Sequence, residues 1–160
     1  MIRLTIILTS LVVFSCASPS AKDWKHLQGQ EKAFFDEAKE KAIVKTDAET
    51  LLKEYNLFLE AHPKFEENPE IMLRQADVYL GIDQWFMALK VFTNFEKLYP
   101  THKRIGFVSF SKGMVCEMAY HKSSYPKHKE YSIALYNEFL EKYPDHFLTE
   151  SARGSIKSMK

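Results

Sequence analysis

Glycine, cysteine and net charge are all scarce in this chain, and each scarcity excludes a class of site. Of the 160 residues only 5 are glycine, which leaves no glycine-rich loop of the kind that cradles phosphate groups. The formal net charge is +1, so the chain lacks the basic excess of nucleic-acid-binding domains. The 2 cysteines cannot form a disulfide framework. Function must therefore be sought in the arrangement of apolar residues.

Apolar and aromatic residues are abundant instead. Hydrophobic residues make up 46% of the chain and aromatic residues 14%, against 27% charged residues. Such a composition is too apolar for intrinsic disorder, and the length suits one domain with a hydrophobic core. We therefore expect a single folded domain.

The N-terminal segment, residues 1–15, has the features of a short secretory signal. One cation, Arg3, precedes an apolar run that ends at Phe14. This run is too short for a permanent transmembrane helix, which requires about 20 apolar residues. The sequence Val13-Phe-Ser-Cys16 resembles the lipobox of bacterial lipoproteins, whose cysteine is acylated and becomes the N-terminus. The resemblance implies a lipid anchor on Cys16; the alternative is an ordinary cleaved signal peptide.

Three segments are expected along the chain: the signal peptide at 1–15, a flexible tether at 16–28 and a helical domain at 29–160. The tether is expected because the residues that follow Cys16 are small and polar and have nothing to bury. The lipobox resemblance implies a protein of the cell envelope that is held to a membrane by lipid. We expect the outer membrane, with the domain facing the periplasm, but the sequence does not decide which membrane and leaflet hold the anchor.

A short pattern recurs three times in the body of the chain. Each copy ends in a proline, and the three prolines, Pro63, Pro100 and Pro144, are 37 and 44 residues apart. Each copy has an aromatic residue eight positions before the proline, Phe five before it and Tyr or His one before it: Tyr55, Phe58 and His62; Phe92, Phe95 and Tyr99; Tyr136, Phe139 and Tyr143. These spacings fall on one side of a helix. The pattern therefore predicts three helices with buried rings, each ended by a proline.

The proline spacing suits a repeated unit of two helices. Apolar periodicity predicts helices near residues 29–44, 47–61, 69–82, 85–98, 104–121, 129–142 and 145–158. Ala76 and Gly113 both lie thirteen residues after their prolines, and a small residue there favours close approach of two helices. The last helix is expected to cap the stack, since an uncapped repeat leaves an apolar face in water.

These features resemble the tetratricopeptide repeat. The segment that ends at Pro100 has small, aromatic and proline residues at the family's positions: Ala76, Tyr79, Ala88, Phe92 and Pro100. The ending Phe-x-x-x-[Tyr/His]-Pro is most similar to the BamD-like outer-membrane lipoproteins. The resemblance implies an all-α fold, a short right-handed α-solenoid of antiparallel helix pairs. It also implies a scaffold or adaptor for other proteins in the cell envelope, in outer-membrane protein assembly or transport.

In tetratricopeptide proteins the first helix of each unit lines a concave groove that binds a partner. The matching positions here are Glu70, Leu73, Asp77 and Leu80 in the second unit and Phe107, Phe110, Met114 and Glu117 in the third. The resemblance implies a groove for an apolar or aromatic peptide at these residues. Alternatively, the first helix, which carries Phe34 and Phe35, folds over this face and covers it. The sequence leaves both arrangements open.

No motif for catalysis or metal binding is apparent. The 6 histidines include no His-x-x-x-His pair. Ser109-Phe-Ser-Lys112 matches one motif of the penicillin-recognising enzymes, but the other two motifs are missing. Cys116 lies in an apolar stretch and is expected to be buried and inert. We therefore expect no enzyme, cofactor, metal, nucleic acid or small-molecule substrate. The alternative to a scaffold is a structural or cell-wall-associating lipoprotein that acts through its basic loop, residues 121–129, and its surface charge.

Overall fold

The computed structural model describes residues 21–159. Within this range it contains no strand and seven helices: α1 (Ala21–Glu40), α2 (Lys45–Ala61), α3 (Asn68–Gly81), α4 (Trp85–Leu98), α5 (Ile105–Ser123), α6 (Pro126–Lys142) and α7 (Thr149–Ser158). The all-α prediction is confirmed, and α2 to α5 begin and end within two residues of the helices that apolar periodicity predicted. Helix α6 begins at Pro126 rather than near 129, so the loop expected at 121–129 is reduced to Ser124 and Tyr125. Helix α7 begins at Thr149 rather than near 145. None of the helices in this range is long and apolar enough to cross a membrane. The signal peptide predicted at 1–15 and the lipid attachment predicted at Cys16 lie outside the described residues.

Helix α1 begins earlier than the sequence indicated. The tether was expected to extend over residues 16–28, but from Ala21 onwards the chain is helical. Two side chains hold this part of α1 against the domain: Leu27 is buried, and the ring of Trp24 packs against that of Phe58 at a centroid distance of 5.7 Å. The expected tether is therefore too long by at least the first two turns of α1.

Each helix packs chiefly against its neighbours in sequence, from α1 against α2 to α6 against α7. The connections between them are short, so consecutive helices run antiparallel. Glu96 on α4 and Lys112 on α5 confirm the direction for that pair, since their carboxylate and ammonium groups are 2.6 Å apart. At the other end of the same pair, the Lys122 ammonium is 3.3 Å from the Asp83 carboxylate.

The loops after α2, α4 and α6 lie together at one end of the molecule, which we call the proline end because they contain Pro63, Pro100 and Pro144. The first two loops are joined by an ion pair of 3.1 Å between Glu70 and Arg104, at the starts of α3 and α5. The third loop packs on the start of α5, where Gly106 lies directly against the ring of His146.

The repeat seen in the sequence is also present in the geometry of these loops. In each copy the buried Phe ring contacts the ring before the proline and the ring two residues after it, at centroid distances of 4.7 to 5.9 Å: Phe58 with His62 and Phe65, Phe95 with Tyr99 and His102, Phe139 with Tyr143 and His146. The next helix then begins five residues after the proline, at Asn68, Ile105 or Thr149. Helix α7 thus starts a fourth, incomplete copy.

The small residues predicted between the helices are where two backbones meet. Ala76 is fully buried, and the carbonyl oxygen of Gly113 on α5 accepts a 2.9 Å hydrogen bond from the hydroxyl of Ser132 on α6. A side-chain hydroxyl is short, so this bond requires the two helices to approach closely. The expectation of close packing at Gly113 is confirmed.

Candidate functional site

The structure distributes the predicted groove residues between the core and its edge. Leu73 is 4% exposed and Phe110 is 9% exposed, so both belong to the core. The others are half-buried or exposed: Leu80, Phe107, Met114, Glu117 and Asp77. Burial raises the pKa of the Asp77 carboxyl, although Arg104 and Arg74 oppose the shift. These residues do not form one open groove.

Phe110 is covered by helices that follow it in the chain. Its ring packs against those of Tyr136 and Phe139 on α6, at centroid distances of 5.3 and 5.6 Å. Ile156 and Met159, at the end of the described chain, complete the same cluster. The expectation of an open Phe110 is corrected accordingly: α6 and α7 cover it, whereas the alternative had assigned the cover to α1.

Helix α1 contacts α3 beside the predicted groove. The Arg74 guanidinium of α3 makes a 2.6 Å ion pair with Glu31 of α1. Phe34 and Phe35 of α1 pack against the large core cluster that contains Leu73. The alternative had placed the first helix over Phe107, Phe110 and Met114 of α5, and for Phe110 it is wrong, because α6 and α7 surround that ring.

Glu117 is also engaged within the domain. Its carboxylate accepts a 2.7 Å hydrogen bond from the Tyr136 hydroxyl. Burial and this bond raise the pKa of Tyr136 above its ordinary value. Glu117 therefore orients a core tyrosine and does not offer a free charge to a partner.

An open groove lies on the opposite side of α5, between α4 and α6, with a volume of about 740 Å³. We call it the α4–α6 groove. Its floor is one stripe of α5, formed by Lys112, Val115, Cys116 and Ala119. Its walls come from α4, with Trp85, Phe86, Leu89 and Thr93, and from α6, with His128, Tyr131, Ala134, Leu135 and Glu138. Most of these side chains are apolar, so the groove offers a surface for hydrophobic contact.

The charged groups of the groove are already paired. Lys112 is buried and its ammonium is held by Glu96, and Glu138 accepts a 2.7 Å hydrogen bond from Lys142. The Lys142 hydrogen bond keeps the pKa of the Glu138 carboxyl below its usual value. Burial raises the pKa of the Cys116 thiol, which disfavours the nucleophilic thiolate. This arrangement is suited to binding an apolar surface, and it offers no activated nucleophile.

Phe86 is the most unusual residue of the groove because its side chain is 78% exposed. When the three copies are aligned on their prolines, the residues at the same position are Glu49 and Glu130, both exposed. The fold therefore accepts a charged side chain there and does not require an aromatic ring. Full burial of a Phe side chain contributes about 1.5 to 3 kcal/mol of stabilising free energy. In the free protein, the exposed Phe86 does not make this contribution in full.

The groove contains one further unused group. The indole N–H of Trp85 is buried, and it has no hydrogen-bond acceptor among residues 21–159. An unpaired buried donor is costly to the free energy of folding.

Sequence reasoning missed the α4–α6 groove although one signal was present. The buried rings are found at positions that are alike in all three copies. The groove is indicated by a position at which the copies differ, because Phe86 is aligned with Glu49 and Glu130. Within residues 21–159 no cluster of three or more His, Cys, Asp or Glu side chains is arranged to hold a metal ion. Comparison with known proteins finds no family model that matches the chain and no curated protein that matches its sequence.

Proposed function

We propose that this protein is a lipid-anchored scaffold or adaptor of the bacterial cell envelope, with a tetratricopeptide-like repeat domain that binds a segment of another protein in the α4–α6 groove. The single observation that carries the proposal is the exposed Phe86 beside an apolar groove, at a position where the fold accepts glutamate. Binding, rather than catalysis, is the activity that such a surface supports.

The shape of the groove favours an amphipathic helix as its occupant. Helices α4 and α6 are both antiparallel to α5, so they run side by side along the stripe of α5 that forms the groove floor. From Lys112 to Ala119 this stripe covers two turns, about 10 Å. A helix laid between α4 and α6 would continue the helix-on-helix packing of the domain, with apolar residues at i, i+3, i+4 and i+7 directed at the floor.

Charge indicates how this helix would lie. The end of α5 and the first turn of α6 meet beside the groove, which His128 lines. They carry Lys127 and Lys129, together with Lys122, whose ammonium is paired with Asp83. Acidic residues at the end of the bound helix next to this junction would be complementary to it. The proposed partner segment therefore has an apolar face and an acidic end.

The experiment that tests the proposal is photo-crosslinking in the native host with p-benzoylphenylalanine at position 86. The control places the same group at Phe147, which is equally exposed but lies at the proline end. We expect a specific crosslink from position 86 to a segment with an apolar helical face and an acidic end. Crosslinks of equal yield from both positions would remove the basis for the groove.

A binding measurement with the captured segment makes the test quantitative. Phe86→Glu should weaken binding by about 2 kcal/mol, or roughly thirty-fold, as loss of an aromatic hot spot does. Phe147→Glu should leave the affinity unchanged. High salt should weaken binding only modestly, since the contact is mainly apolar. Affinity that is lost in salt and insensitive to Phe86→Glu would instead support the cell-wall alternative, which acts through the basic loop.

A further inference from the structure

The loop between α6 and α7 exposes an aromatic ring that the fold does not use. Phe147 is 80% exposed and stacks on the ring of its neighbour His146, at a centroid distance of 4.5 Å. The aligned residues in the other two loops are Glu66 and Lys103, which are both exposed. As at Phe86, a charged residue satisfies the fold at this position, so the ring of Phe147 requires another explanation.

A second large apolar side chain is exposed at the same end of the molecule. Leu98, the last residue of α4, is 62% exposed. Its counterparts in the other copies are Ala61 and Lys142. The proline end thus carries two exposed apolar side chains at places where the other copies have charged or small ones.

The start of the folded domain lies at this end too. Helix α1 begins at Ala21, and Trp24 in its first turn packs against Phe65 of the first proline loop at a centroid distance of 5.1 Å. Ala21 is five residues from Cys16, a distance that even a fully extended chain limits to about 18 Å. An anchor at Cys16 would therefore hold the proline end closest to the membrane.

We infer that the proline end rests on the lipid surface and that Phe147 and Leu98 enter its interface; this inference rests on the proposed lipid anchor at Cys16. Aromatic side chains favour the interface between lipid and water, and shallow insertion buries an apolar group about 5 to 10 Å deep. The loops also carry charges of both signs, such as Glu66 and Lys103. Apolar contact therefore drives the insertion, and it does not require an anionic lipid.

This orientation separates the two surfaces of the protein. Phe86 lies near the start of α4 and Leu98 at its end, so about 18 Å of helix stand between them. With the proline end on the lipid, Phe86 lies at the far end of α4 from the contact with the membrane and remains free to bind a partner.

Depth-dependent quenching tests the inference in the full-length lipidated protein. Phe147→Trp and Phe86→Trp each add one indole at a strongly exposed position, and the emission of the wild type, from Trp24 and Trp85, is subtracted. The variants are reconstituted in vesicles of phosphatidylcholine brominated on its acyl chains. We expect the brominated lipid to quench most of the emission added at position 147 and to leave the emission added at position 86 unchanged.

Vesicle flotation separates failure of the inference from failure of the anchor. If the protein floats with the vesicles and the indole at 147 is not quenched, or both indoles are quenched equally, the inference is overturned and the anchor stands. If the lipidated protein does not float, the anchor and the inference both fall. Sedimentation of Cys16→Ala provides a further check, because a dimer that Phe147→Glu dissociates would assign this surface to a second copy of the chain.

Discussion

The ring of Tyr136 on α6 lies directly over Gly113 on α5, where an added Cβ would come within 2.6 Å of the ring's Cδ1. Gly113→Ala should therefore force α5 and α6 apart and lower the free energy of unfolding by about 1 to 3 kcal/mol, as overpacking does. Gly154→Ala is the matched control, because the space around that helical glycine is open. It should raise stability by about 0.5 to 1 kcal/mol through helix propensity. Chemical denaturation of both variants measures the difference, and equal effects would contradict the close contact.

The location of the binding surface can be tested before any partner is known. Phe110→Ala should open a cavity against Tyr136 and Phe139 and lower the free energy of unfolding by about 3 kcal/mol or more. Phe86→Ala removes the same ring from an exposed site and should change stability by only about 0.5 kcal/mol. Thermal or urea melts of the two variants suffice. A Phe110→Ala protein as stable as the wild type would return the binding surface to the face predicted from the sequence.

Alkaline pH should destabilise the domain through Tyr136. The pKa of its hydroxyl is raised above the ordinary value of 10.0, first by burial and then by its hydrogen bond to Glu117. The folded state thus holds this proton more tightly than the unfolded state does. The stabilisation that Tyr136 provides is therefore fully present below pH 10, the pKa of the unfolded state. It is lost as the pH rises from there toward the higher pKa of the folded state. Urea melts between pH 8 and pH 11 should show this decline.

The variant Tyr136→Phe isolates that effect. At neutral pH this substitution should lower the free energy of unfolding by about 1 kcal/mol, because it removes the hydrogen bond to Glu117 and such a bond contributes about that much. Between pH 10 and pH 11 its stability should fall less steeply than that of the wild type, since the titrating group is gone. Tyr131→Phe is the control, because the Tyr131 side chain is exposed. Parallel pH profiles for wild type and Tyr136→Phe would refute the assignment.

The proposed acylation of Cys16 predicts how the protein fractionates. Replacement by Ala should abolish incorporation of a labelled fatty acid and release the protein from the membrane fraction. Cys116→Ala is the control, because that thiol is buried in the domain and should not be acylated. Continued lipid labelling of the Cys16→Ala protein would show that the lipobox resemblance is misleading.

The parts of the fold that the sequence predicts are those that recur along the chain. In three places a Phe lies five residues before a proline, and this repeated spacing predicts both a helix and the loop that follows it. The same pattern in three copies makes the prediction stronger than any one copy would. The start of α1 has no such support. Trp24 lies among charged residues, and its ring packs against Phe58 and Phe65, which are distant in sequence. Such long-range contacts hold the start of α1 on the domain, and the local sequence does not reveal them.

The candidate site was predicted less well, because exposure depends on which helix covers which. Phe107, Phe110 and Met114 do share one face of α5. Nothing in that face alone reveals that Ile156 and Met159, which come much later in the chain, complete the cluster around Phe110. Phe86 could have been found from the sequence, since its counterparts in the other copies are glutamates.

The equal offset of α3, α5 and α7 from their prolines has a consequence for how such a chain can grow. A stretch that runs from one proline to the next, such as residues 64–100, begins and ends at equivalent points of the stack. Duplication of this stretch would add one helix pair without altering the phase of any helix that follows. Domains of this kind can therefore lengthen by whole units during evolution.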